Sequence, residues 1–480
     1  MTEIDSNEYR EQRLANLDQL KEMGFPPLGT AFERSGTLAE IREGFAEEKP
    51  AKAAGRLMTI RKMGKAIFAD LRDGSDRFQL FIQRDGIGED AFAAFKKLDI
   101  GDVIGVEGEL FVTKKGEQSL RVGTWVLLSK SLLPLPDKWS GLKDVDARYR
   151  QRYLDLISEP AVRDLFNKRI AAVREVRRYL ESQGFQEVET PMMQPQPGGA
   201  TAKPFVTHYE ALHTDMYLRI APELYLKRLL VGGFDKVFEL NRNFRNEGLD
   251  RTHNPEFTMV EIYEAFGGLS SMKTLVRGLI QHVAETVFGK LQFELEGHTI
   301  DLSGDWREVP YHDLIVERMG EDWFSLSVEH VRSKAEAEGL DVDPEWGHGE
   351  ITHEVYEKLI EKTLIQPTFV TRLPEALVPL AQHCADDPSL VDVFELEIAG
   401  KEIAPAYQEL NDPVEQRRRF EEQAGEDAQK VDEDFLTAME HGMPPAGGMG
   451  IGIDRLIMIL TGSEAIRDVI LFPQLKPKTD

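Results

Sequence analysis

Apolar and polar residues alternate most clearly between residues 237 and 264, where two strand-like runs flank a polar break at 248–255. A period of two on both sides of a break containing Gly and Asn predicts an antiparallel hairpin with a long loop. Because residues two apart share one face of a strand, one group of side chains from both runs should project to the same side of this hairpin. The group comprises Arg245 and Glu247 from the first run, and Phe257, Met259, Glu261 and Tyr263 from the second.

The N-terminal third follows another pattern. Residues 1–50 contain an amphipathic helical run that ends at Gly24 and the pair Pro26 and Pro27, which predicts a helical extension. Between residues 53 and 128, five short apolar runs are separated by turns rich in Gly, Asp and Lys, with one helical run at 89–98. Regular short strands of this kind predict a small barrel, to which we assign residues 51–133. Residues 134–147 contain Pro and Gly and form the predicted linker.

Residues 148–480 form the predicted second domain. A helical period over 162–180 ends at Gly184, and the strand that follows is stopped by Pro191. Residues 269–368 show helical patterns and no residues to which we assign chemistry. A second hairpin is predicted around Ala399 and Gly400.

Two carboxylates of that second hairpin, Glu395 and Glu402, are candidates for a metal site. Carboxylates that face one cavity repel each other unless a cation binds between them, and Mg²⁺ prefers such oxygen ligands. Taken alone, this pattern is more often a solvated acidic face than a metal site.

Composition narrows the class of protein. The chain has 480 residues, 41% of them hydrophobic, and a single cysteine, which excludes an internal disulfide and a multi-cysteine zinc site. No stretch approaches eighteen uninterrupted apolar residues and the first residues are charged, so we expect no membrane segment, no secretory signal and a cytoplasmic location. The net charge of −26 disfavours indiscriminate binding to nucleic acid. Residues 51–130 carry a small excess of basic residues, so an RNA footprint would lie there.

Several stretches together resemble one family. Phe244-Arg245-Asn246-Glu247, followed by Arg251, His253, Asn254 and Phe257, is similar to motif 2, the ATP-binding hairpin of the class II aminoacyl-tRNA synthetases. The helix and strand over 162–190 resemble motif 1, and the glycine-rich run 447–452 with Asp454-Arg455-Leu456 resembles motif 3. The resemblance covers nearly the whole chain and is greatest to the lysyl-tRNA synthetases of bacterial type.

The resemblance implies a fold and a reaction. The expected fold is multidomain, with an N-terminal OB-fold β-barrel and an α+β class II catalytic domain built on an antiparallel sheet of six or seven strands. Residues 269–368 would be a helical insertion between motifs 2 and 3. The expected enzyme is a homodimer that forms lysyl-adenylate from L-lysine and ATP with Mg²⁺ and transfers lysine to the 3′ end of tRNA(Lys).

The resemblance also implies roles for individual residues. Arg245, Glu247 and Arg455 are the expected catalytic residues. The expected ATP-binding residues are Arg245, Glu247, Arg251, His253, Asn254, Phe257, Glu395, Glu402 and Arg455, and Glu395 and Glu402 are the expected Mg²⁺ ligands. The expected lysine-binding residues are Gly199, Glu223, Arg245, Glu261, Tyr263, Tyr407 and Glu409. In the barrel, Phe68 would stack on an anticodon base, and Gln79 and Glu117 would contact the edge of that base.

Two departures from the family pattern keep other functions open. The family usually has Asn where this chain has Pro405, and residues 371–379 also differ from the usual sequence. One alternative is a paralogue that activates another or a modified cationic amino acid. The other is a synthetase-like RNA-binding protein without catalysis.

Overall fold

The computed structural model describes residues 3–136, 144–200, 202–424 and 431–477. The chain forms two compact units, Met1–Lys143 and Asp144–Asp480. Half of the predicted linker, residues 137–143, lies outside the described residues. Within the described ranges, no helix has the length and hydropathy needed to cross a bilayer.

The first unit is a five-stranded closed barrel with the order β1-β2-β3-β5-β4. This is the barrel predicted from the five short apolar runs. Apolar side chains from all five strands fill its interior, and Leu20 of the first helix is buried in the same core. The elements are α1 (Glu3–Glu22), α2 (Leu38–Glu43), β1 (Pro50–Met63), β2 (Ala66–Arg72), β3 (Arg77–Gln83), α3 (Arg84–Ile87), α4 (Glu89–Phe95), β4 (Val103–Val112) and β5 (Gln118–Ser129).

The second unit begins with helices and then alternates strands and helices around one large sheet. Its first half comprises α5 (Val145–Arg150), α6 (Arg152–Ser158), α7 (Pro160–Ser182), β6 (Gln186–Glu187), β7 (Met193–Gln194), β8 (Val206–Tyr209), β9 (Thr214–Leu218), α8 (Glu223–Val231), β10 (Lys236–Phe244), β11 (Glu256–Ala265) and α9 (Leu269–Val283). Its second half comprises β12 (Gln292–Leu295), β13 (His298–Asp301), β14 (Arg307–Pro310), α10 (Tyr311–Met319), α11 (Val328–Ala337), α12 (His348–Val355), β15 (Thr368–Pro374), β16 (Leu390–Glu397), β17 (Glu402–Gln408), α13 (Pro413–Ala424), α14 (Glu433–Glu440), β18 (Ala446–Gly452), α15 (Ile453–Thr461) and α16 (Ile466–Val469).

The large sheet has eight strands in the order β14-β15-β16-β17-β18-β11-β10-β6. The six central strands are antiparallel, as expected, but the two edge pairs, β14 with β15 and β10 with β6, are parallel. The expected antiparallel sheet of six or seven strands is therefore present, but it has eight strands in all and its two edge strands pair in parallel. Both edge strands are four residues or shorter, and so short a run carries little periodic signal in a sequence.

The two faces of this sheet differ in chemistry. On one face, Phe238, Ile262, Met449 and Leu396 join apolar residues of α7, α9 and α15 in the largest hydrophobic core of the unit. Because neighbouring side chains alternate between faces, the intervening residues of the same strands project to the opposite face. That opposite face carries the polar residues that the sequence singles out.

The hairpin at the centre of the sheet differs from the prediction in one respect. Its strand register pairs Asn243 with Phe257 and Glu239 with Glu261. β10 ends at Phe244, so Arg245 and Glu247 lie beyond the strand, in the loop, rather than on it. The backbone N–H of Arg245 still donates to the carbonyl of Pro255, which holds the loop ends together.

The segment 269–368 is not purely helical. It contains a separate two-stranded hairpin, β12 and β13, and the strand β14, which joins the large sheet. Its first helix, α9, belongs to the main core through Met272, Leu275 and Leu279. The segment is therefore part helix and part strand, and α9 and β14 belong to the main core and the large sheet of the second unit.

Candidate functional site

Glycines form the centre of the polar face. β18 lies between β11 and β17, and its Gly448, Gly450 and Gly452 pair with Tyr263, Glu261 and Met259 of β11. Directly paired residues share a face, so the middle strand presents no side chain to the polar face at these three positions. The side chains of the flanking strands can therefore meet above it.

Gly448 shows how tight this arrangement is. A Cβ atom placed on Gly448 would lie 1.8 Å from Oε1 of Glu409 and 2.6 Å from Cε1 of Tyr263. Glu409 follows the end of β17 and is 1% exposed. The glycine thus provides the space that the Glu409 carboxylate occupies.

We predict that Gly448→Ala weakens amino-acid binding more than ATP binding. Forcing a methyl group into a packed site costs roughly 1–3 kcal/mol, which corresponds to about a 5- to 150-fold rise in the KM for the amino acid. Steady-state kinetics with each substrate varied will measure the two KM values. Gly450→Ala is the matched control, because its Cβ would meet the flexible methyl end of Met259 at 2.8 Å and would make only an ordinary van der Waals contact, at 3.9 Å, with Cγ of Glu261. An equal rise in both KM values for Gly448→Ala would contradict the assignment.

Glu261 and Tyr263 form the wall of this pocket on β11. Both are buried, and the Tyr263 hydroxyl donates to Oε2 of Glu261 at 3.1 Å. Burial and the nearby charge of Glu223 raise the pKa of the Glu261 carboxyl and that of the Tyr263 phenol well above their usual values. An ammonium group entering the pocket would restore the ionised form of Glu261.

A second wall is formed by α8 together with the end of β17. Glu223 begins α8, and its Oε1 lies 2.7 Å from Nζ of Lys227, one turn along the helix. The same Nζ lies 2.5 Å from Oε2 of Glu409. Lys227 is completely buried, so a protein ammonium joins the two carboxylates. Even beside this cation, burial raises the pKa of Glu409 to about 8.

Gly199 lies against the same pocket. It has φ +84°, and a Cβ there would lie 2.9 Å from Cβ of Glu223 and 3.2 Å from Cβ of Ala221. Gly199 therefore allows its loop to lie directly against the start of α8. Tyr407 completes the pocket from β17, where it pairs with Gly448 across from Tyr263.

Arg245 lies beside the pocket, where its charge lowers the pKa of Glu261 against the effect of burial. Its guanidinium is 5.2 Å from the centroid of the Phe257 ring, and its Nε is buried with no hydrogen-bond partner among the described residues. A partly buried guanidinium with an unused donor is suited to a carboxylate or a phosphate. The stacked ring limits the motion of this side chain, and Phe257 offers an aromatic surface beside it.

His253 and Arg455 form a second basic group. Nη2 of Arg455 lies 3.1 Å from Nε2 of His253, and Nη1 donates to the backbone carbonyl of Glu402 at 2.7 Å. The preceding Asp454 is buried, accepts the backbone N–H of Thr258 at 2.7 Å and pairs with Arg169 of α7. This anchor fixes the start of α15 and with it Arg455.

Three predicted ATP ligands are exposed or make contacts within the hairpin loop instead of facing the site. Glu247 is exposed in the loop. Arg251 is exposed and pairs with Glu464 at 2.8 Å. The Asn254 amide donates to the carbonyl of Glu256 at 2.5 Å, which stabilises the hairpin loop. The hydrogen bonds of such loop residues often form or shorten only when a ligand binds, so the roles of these three residues stay predictions.

The two predicted metal ligands lie in an acidic cluster. Burial and the charge of Glu402 raise the pKa of the Glu395 carboxyl well above its usual value, and Glu361 and Glu357 contribute in the same direction. Glu397 is also buried, and its Oε2 has no hydrogen-bond partner among the described residues. Hard carboxylate oxygens that destabilise one another are a donor set that fits Mg²⁺.

Sequence reasoning missed several residues of these sites. Lys227 looks like an ordinary polar position of an amphipathic helix, and nothing in its spacing marks it. Glu361 and Glu357 reach the acidic cluster from the end of a short π-helix, residues Tyr356–Ile360, in the segment that carried no assigned chemistry. The alternate glycines of β18 did give a signal, since a period of two indicates a strand.

The barrel carries a separate candidate site for RNA on its outer surface. Phe68 of β2 pairs with Phe81 of β3, and their ring centroids are 4.9 Å apart. Arg121 of β5 pairs with Phe81 on the other side, and its guanidinium lies 4.7 Å from the ring of Phe111. Partly exposed rings beside arginines form a surface on which unpaired bases can stack.

Gln79 and Glu117 lie on the same face as Phe68. Gln79 pairs with Ser119, and the buried Ser119 hydroxyl lies 3.0 Å from Oε1 of Gln79, where it can donate. This contact leaves the Gln79 amide N–H groups free to contact the edge of a base. Glu117 precedes β5 by one residue, in a turn closed by its backbone bonds to Thr113.

We predict that Phe68→Ala raises the KM for tRNA while leaving tRNA-independent adenylate formation unchanged. Loss of one stacked base costs roughly 1–3 kcal/mol, which corresponds to a rise of about 5- to 150-fold. Aminoacylation and ATP–pyrophosphate exchange, measured on the same preparation, will separate the two effects. An equal loss in both assays would mean that Phe68 supports the fold rather than RNA binding.

Comparisons with known proteins match both units. Residues 144–476 match the family model for class II tRNA synthetases (D, K and N), and residues 51–128 match the model for an OB-fold nucleic-acid-binding domain. A lysine–tRNA ligase of Syntrophomonas wolfei is 51% identical, with 100% of this chain and 99% of that protein covered. The corresponding ligase of Pelotomaculum thermopropionicum is 49% identical, with 99% of this chain and 96% of that protein covered. That of Carboxydothermus hydrogenoformans is 48% identical over the full length of both chains.

Proposed function

The chain belongs to the class II tRNA synthetases of the D, K and N group, and on this premise we propose that it acts as a lysine–tRNA ligase. It activates L-lysine with ATP and transfers the lysyl group to the 3′ end of tRNA(Lys). The two alternatives that the sequence left open, a ligase for another cationic amino acid and an RNA-binding protein without catalysis, are not favoured. Full-length relatives at 48–51% identity carry the name lysine–tRNA ligase.

The observation that carries this proposal is the pocket of three buried carboxylates. Glu223, Glu261 and Glu409 are each 5% exposed or less and lie around one space beside Arg245. An unpaired charge in such a space is very costly, so the preferred occupant carries compensating ammonium groups. Lysine carries two. An acidic amino acid would be repelled, which separates this pocket from that of an aspartate-specific relative.

Glu223 at the start of α8 is the proposed acceptor for the α-ammonium of lysine. Glu261, Tyr263 and Glu409 are the proposed acceptors for the ammonium of its side chain, with Gly199 and Tyr407 shaping the pocket. A substrate analogue without the ε-amine would leave these buried groups unpaired, which is the strongest basis for rejecting it.

The first step is attack of the lysine carboxylate on the α-phosphorus of ATP, which gives lysyl-adenylate and pyrophosphate. Arg245 is proposed to hold the attacking carboxylate and the α-phosphate together, while His253, Arg251 and Arg455 hold the β- and γ-phosphates. Glu247 and Asn254 would orient the ATP as the loop closes, and Phe257 would stack on adenine. No side chain needs to move a proton in this step, so positioning and charge stabilisation supply the rate enhancement.

Glu395 and Glu402 are proposed to hold Mg²⁺. The ion would neutralise charge on the ATP phosphates, and the mutual repulsion of these carboxylates supports a cation at this position. Glu361, which raises the pKa of Glu395 from the same cluster, is a further candidate for an outer contact to that ion.

In the second step a hydroxyl of the tRNA 3′-terminal ribose attacks the acyl carbon, and AMP leaves. The barrel would select the tRNA by its anticodon through Phe68, Gln79 and Glu117.

We further propose a homodimer whose interface includes α7, on which Ile170 is 60% exposed between arginines. We also propose a cytoplasmic location, where translation uses these substrates.

The residues that differ from the family sequence, Pro405 and the segment 371–379, contact other parts of the same domain. Pro405 lies in β17 opposite Glu395. Glu375, within the departing segment 371–379, forms ion pairs with Arg418 and Arg419 of α13 at 2.8 and 3.2 Å. These contacts tie the segment to the domain and do not enter the carboxylate pocket, so lysine stays the proposed substrate.

Aminoacylation tests the proposal. The purified protein should charge a tRNA(Lys) transcript with radiolabelled lysine in the presence of ATP and Mg²⁺. The matched control is the same transcript with its anticodon changed, which should be charged far more weakly. Equal charging of both transcripts would remove the anticodon role, and no charging with lysine would remove the assigned activity.

A further inference from the structure

Lys227 is the one cation that lies inside the proposed lysine pocket among the described residues that form it. Its ammonium is 2.7 Å from Glu223 and 2.5 Å from Glu409, the carboxylates proposed for the two ends of the substrate. The side chain is completely buried. No role for this residue follows from the binding contacts assigned above.

The contact is unlike an ordinary helix ion pair. Glutamate and lysine four residues apart commonly pair on exposed helix surfaces, where the effect on stability is small. Lys227 instead extends from α8 to a second carboxylate at the end of β17. Buried ion clusters often stabilise a fold less than apolar residues of the same size, so stability alone does not account for this one.

The charges of the pocket give Lys227 a function. Glu223, Glu261 and Glu409 contribute three negative charges when ionised, and Lys227 offsets one of them. The two negative charges that remain match the two ammonium groups of lysine. The carboxylate of lysine pairs with Arg245. Without Lys227 the empty pocket would hold three carboxylates and no ammonium, and such a group takes up a proton instead of ionising fully.

We propose that Lys227 is a positioning residue that holds Glu223 in place, favours the ionised form of Glu409 and sets the pocket to accept an amino acid with two ammonium groups. The inference rests on the proposed lysine activity and deepens it. Lys227 touches neither the reacting atoms nor, in this arrangement, the substrate. It acts through the two carboxylates.

The proposal predicts a change in pH dependence. Lysine pairs with the ionised carboxylates, and the Lys227 ammonium lowers the pKa of Glu409 against the effects of burial and of Glu223. Removing the ammonium will raise that pKa, so more of the pocket will be protonated near neutral pH. The groups that face this space are Glu223 and Lys227 of α8, Glu239 of β10, Glu261 and Tyr263 of β11, Tyr407 and Glu409 from β17, and Arg245.

The experiment compares Lys227→Met and Lys227→Gln with the wild type in lysine-dependent ATP–pyrophosphate exchange from pH 6.5 to 9. Both neutral variants should raise the lysine KM at least about tenfold at pH 7, with the ATP KM little changed. The ratio of variant to wild-type KM should fall as the pH rises, because the carboxylates then ionise without help. Taking the ratio cancels the titration of free lysine, which is common to all the proteins.

Two further variants complete the test. Lys227→Arg keeps the charge, so its KM ratio should vary little with pH. Lys236→Met removes a partly exposed lysine that pairs with Glu264, and should leave the lysine KM unchanged. Circular dichroism will identify any variant that does not fold. If one of the two neutral variants does not fold, the other still tests the proposal.

The outcomes separate this inference from the proposed function. If the wild type shows no lysine-dependent exchange, the lysine activity itself is wrong. If the wild type is active but the neutral variants show an unchanged KM, or a KM ratio that does not vary with pH, Lys227 has only a packing role. The same pH-dependent ratio for Lys227→Arg would also overturn the inference.

Discussion

Arg245→Ala should abolish the formation of lysyl-adenylate while leaving the fold intact. Arg245 is proposed to bind both reactants in the first step, and its buried Nε has no partner among the described residues. Loss of one preorganised donor to developing charge reduces kcat by about 10²- to 10³-fold, and Arg245 would contribute more than one donor. ATP–pyrophosphate exchange at saturating lysine and ATP measures this loss directly.

Arg242→Ala is the matched control for that experiment. Arg242 lies three residues earlier on β10 and forms a partly exposed ion pair with Glu256 at 3.4 Å. Its removal should change exchange activity little, because exposed ion pairs contribute little to stability. Near-normal exchange by a folded Arg245→Ala protein would remove Arg245 from the site.

Glu409→Gln should raise the KM for lysine strongly and change the KM for ATP little. Glu409 is 1% exposed, and glutamine at this position has no charge to pair with the side-chain ammonium of lysine or with Lys227. Truncating one partner of a buried charged pair costs about 2–5 kcal/mol, or roughly 30- to several-thousandfold in KM. Initial rates of exchange with lysine or ATP varied will give both constants.

Glu421→Gln provides the comparison for Glu409. Glu421 is an exposed glutamate of α13 that lies 4.0 Å from Arg417, and its neutralisation should leave both KM values unchanged. If Glu409→Gln raised the two KM values equally, the carboxylate would be supporting the whole site rather than recognising lysine.

The sequence predicted the parts of the fold that have a clear local period. The barrel strands, the motif 2 hairpin and the turn at Ala399 and Gly400, both with positive φ, are all present. The strand predicted before Pro191 is present as the two-residue β6, but its parallel pairing with β10 was not predicted. The strand β14 was not predicted, because four residues do not establish a period and its pairing depends on a distant segment.

The residues of the candidate site also fall into those that a local period predicts and those that it does not. Phe257, Glu261 and Tyr263 could be placed on one face because they alternate along one strand. Lys227 and Glu361 could not, since Lys227 meets Glu409 and Glu361 meets the charge of Glu395 only through tertiary contacts between distant parts of the chain. The glycines at 448, 450 and 452 were assigned only a resemblance to motif 3, and in the structure they form β18 and leave open the space that Glu409 fills.

ATP–pyrophosphate exchange with a panel of amino acids, including ornithine, arginine and norleucine, is the most direct test of the central claim. Exchange should be rapid with lysine, depend on Mg²⁺, and be far weaker with every other member of the panel. Norleucine is the sharpest comparison, because it has the same chain length as lysine but lacks the ε-ammonium. Stronger exchange with another cationic amino acid, or none with any amino acid in a folded protein that binds tRNA, would contradict the account.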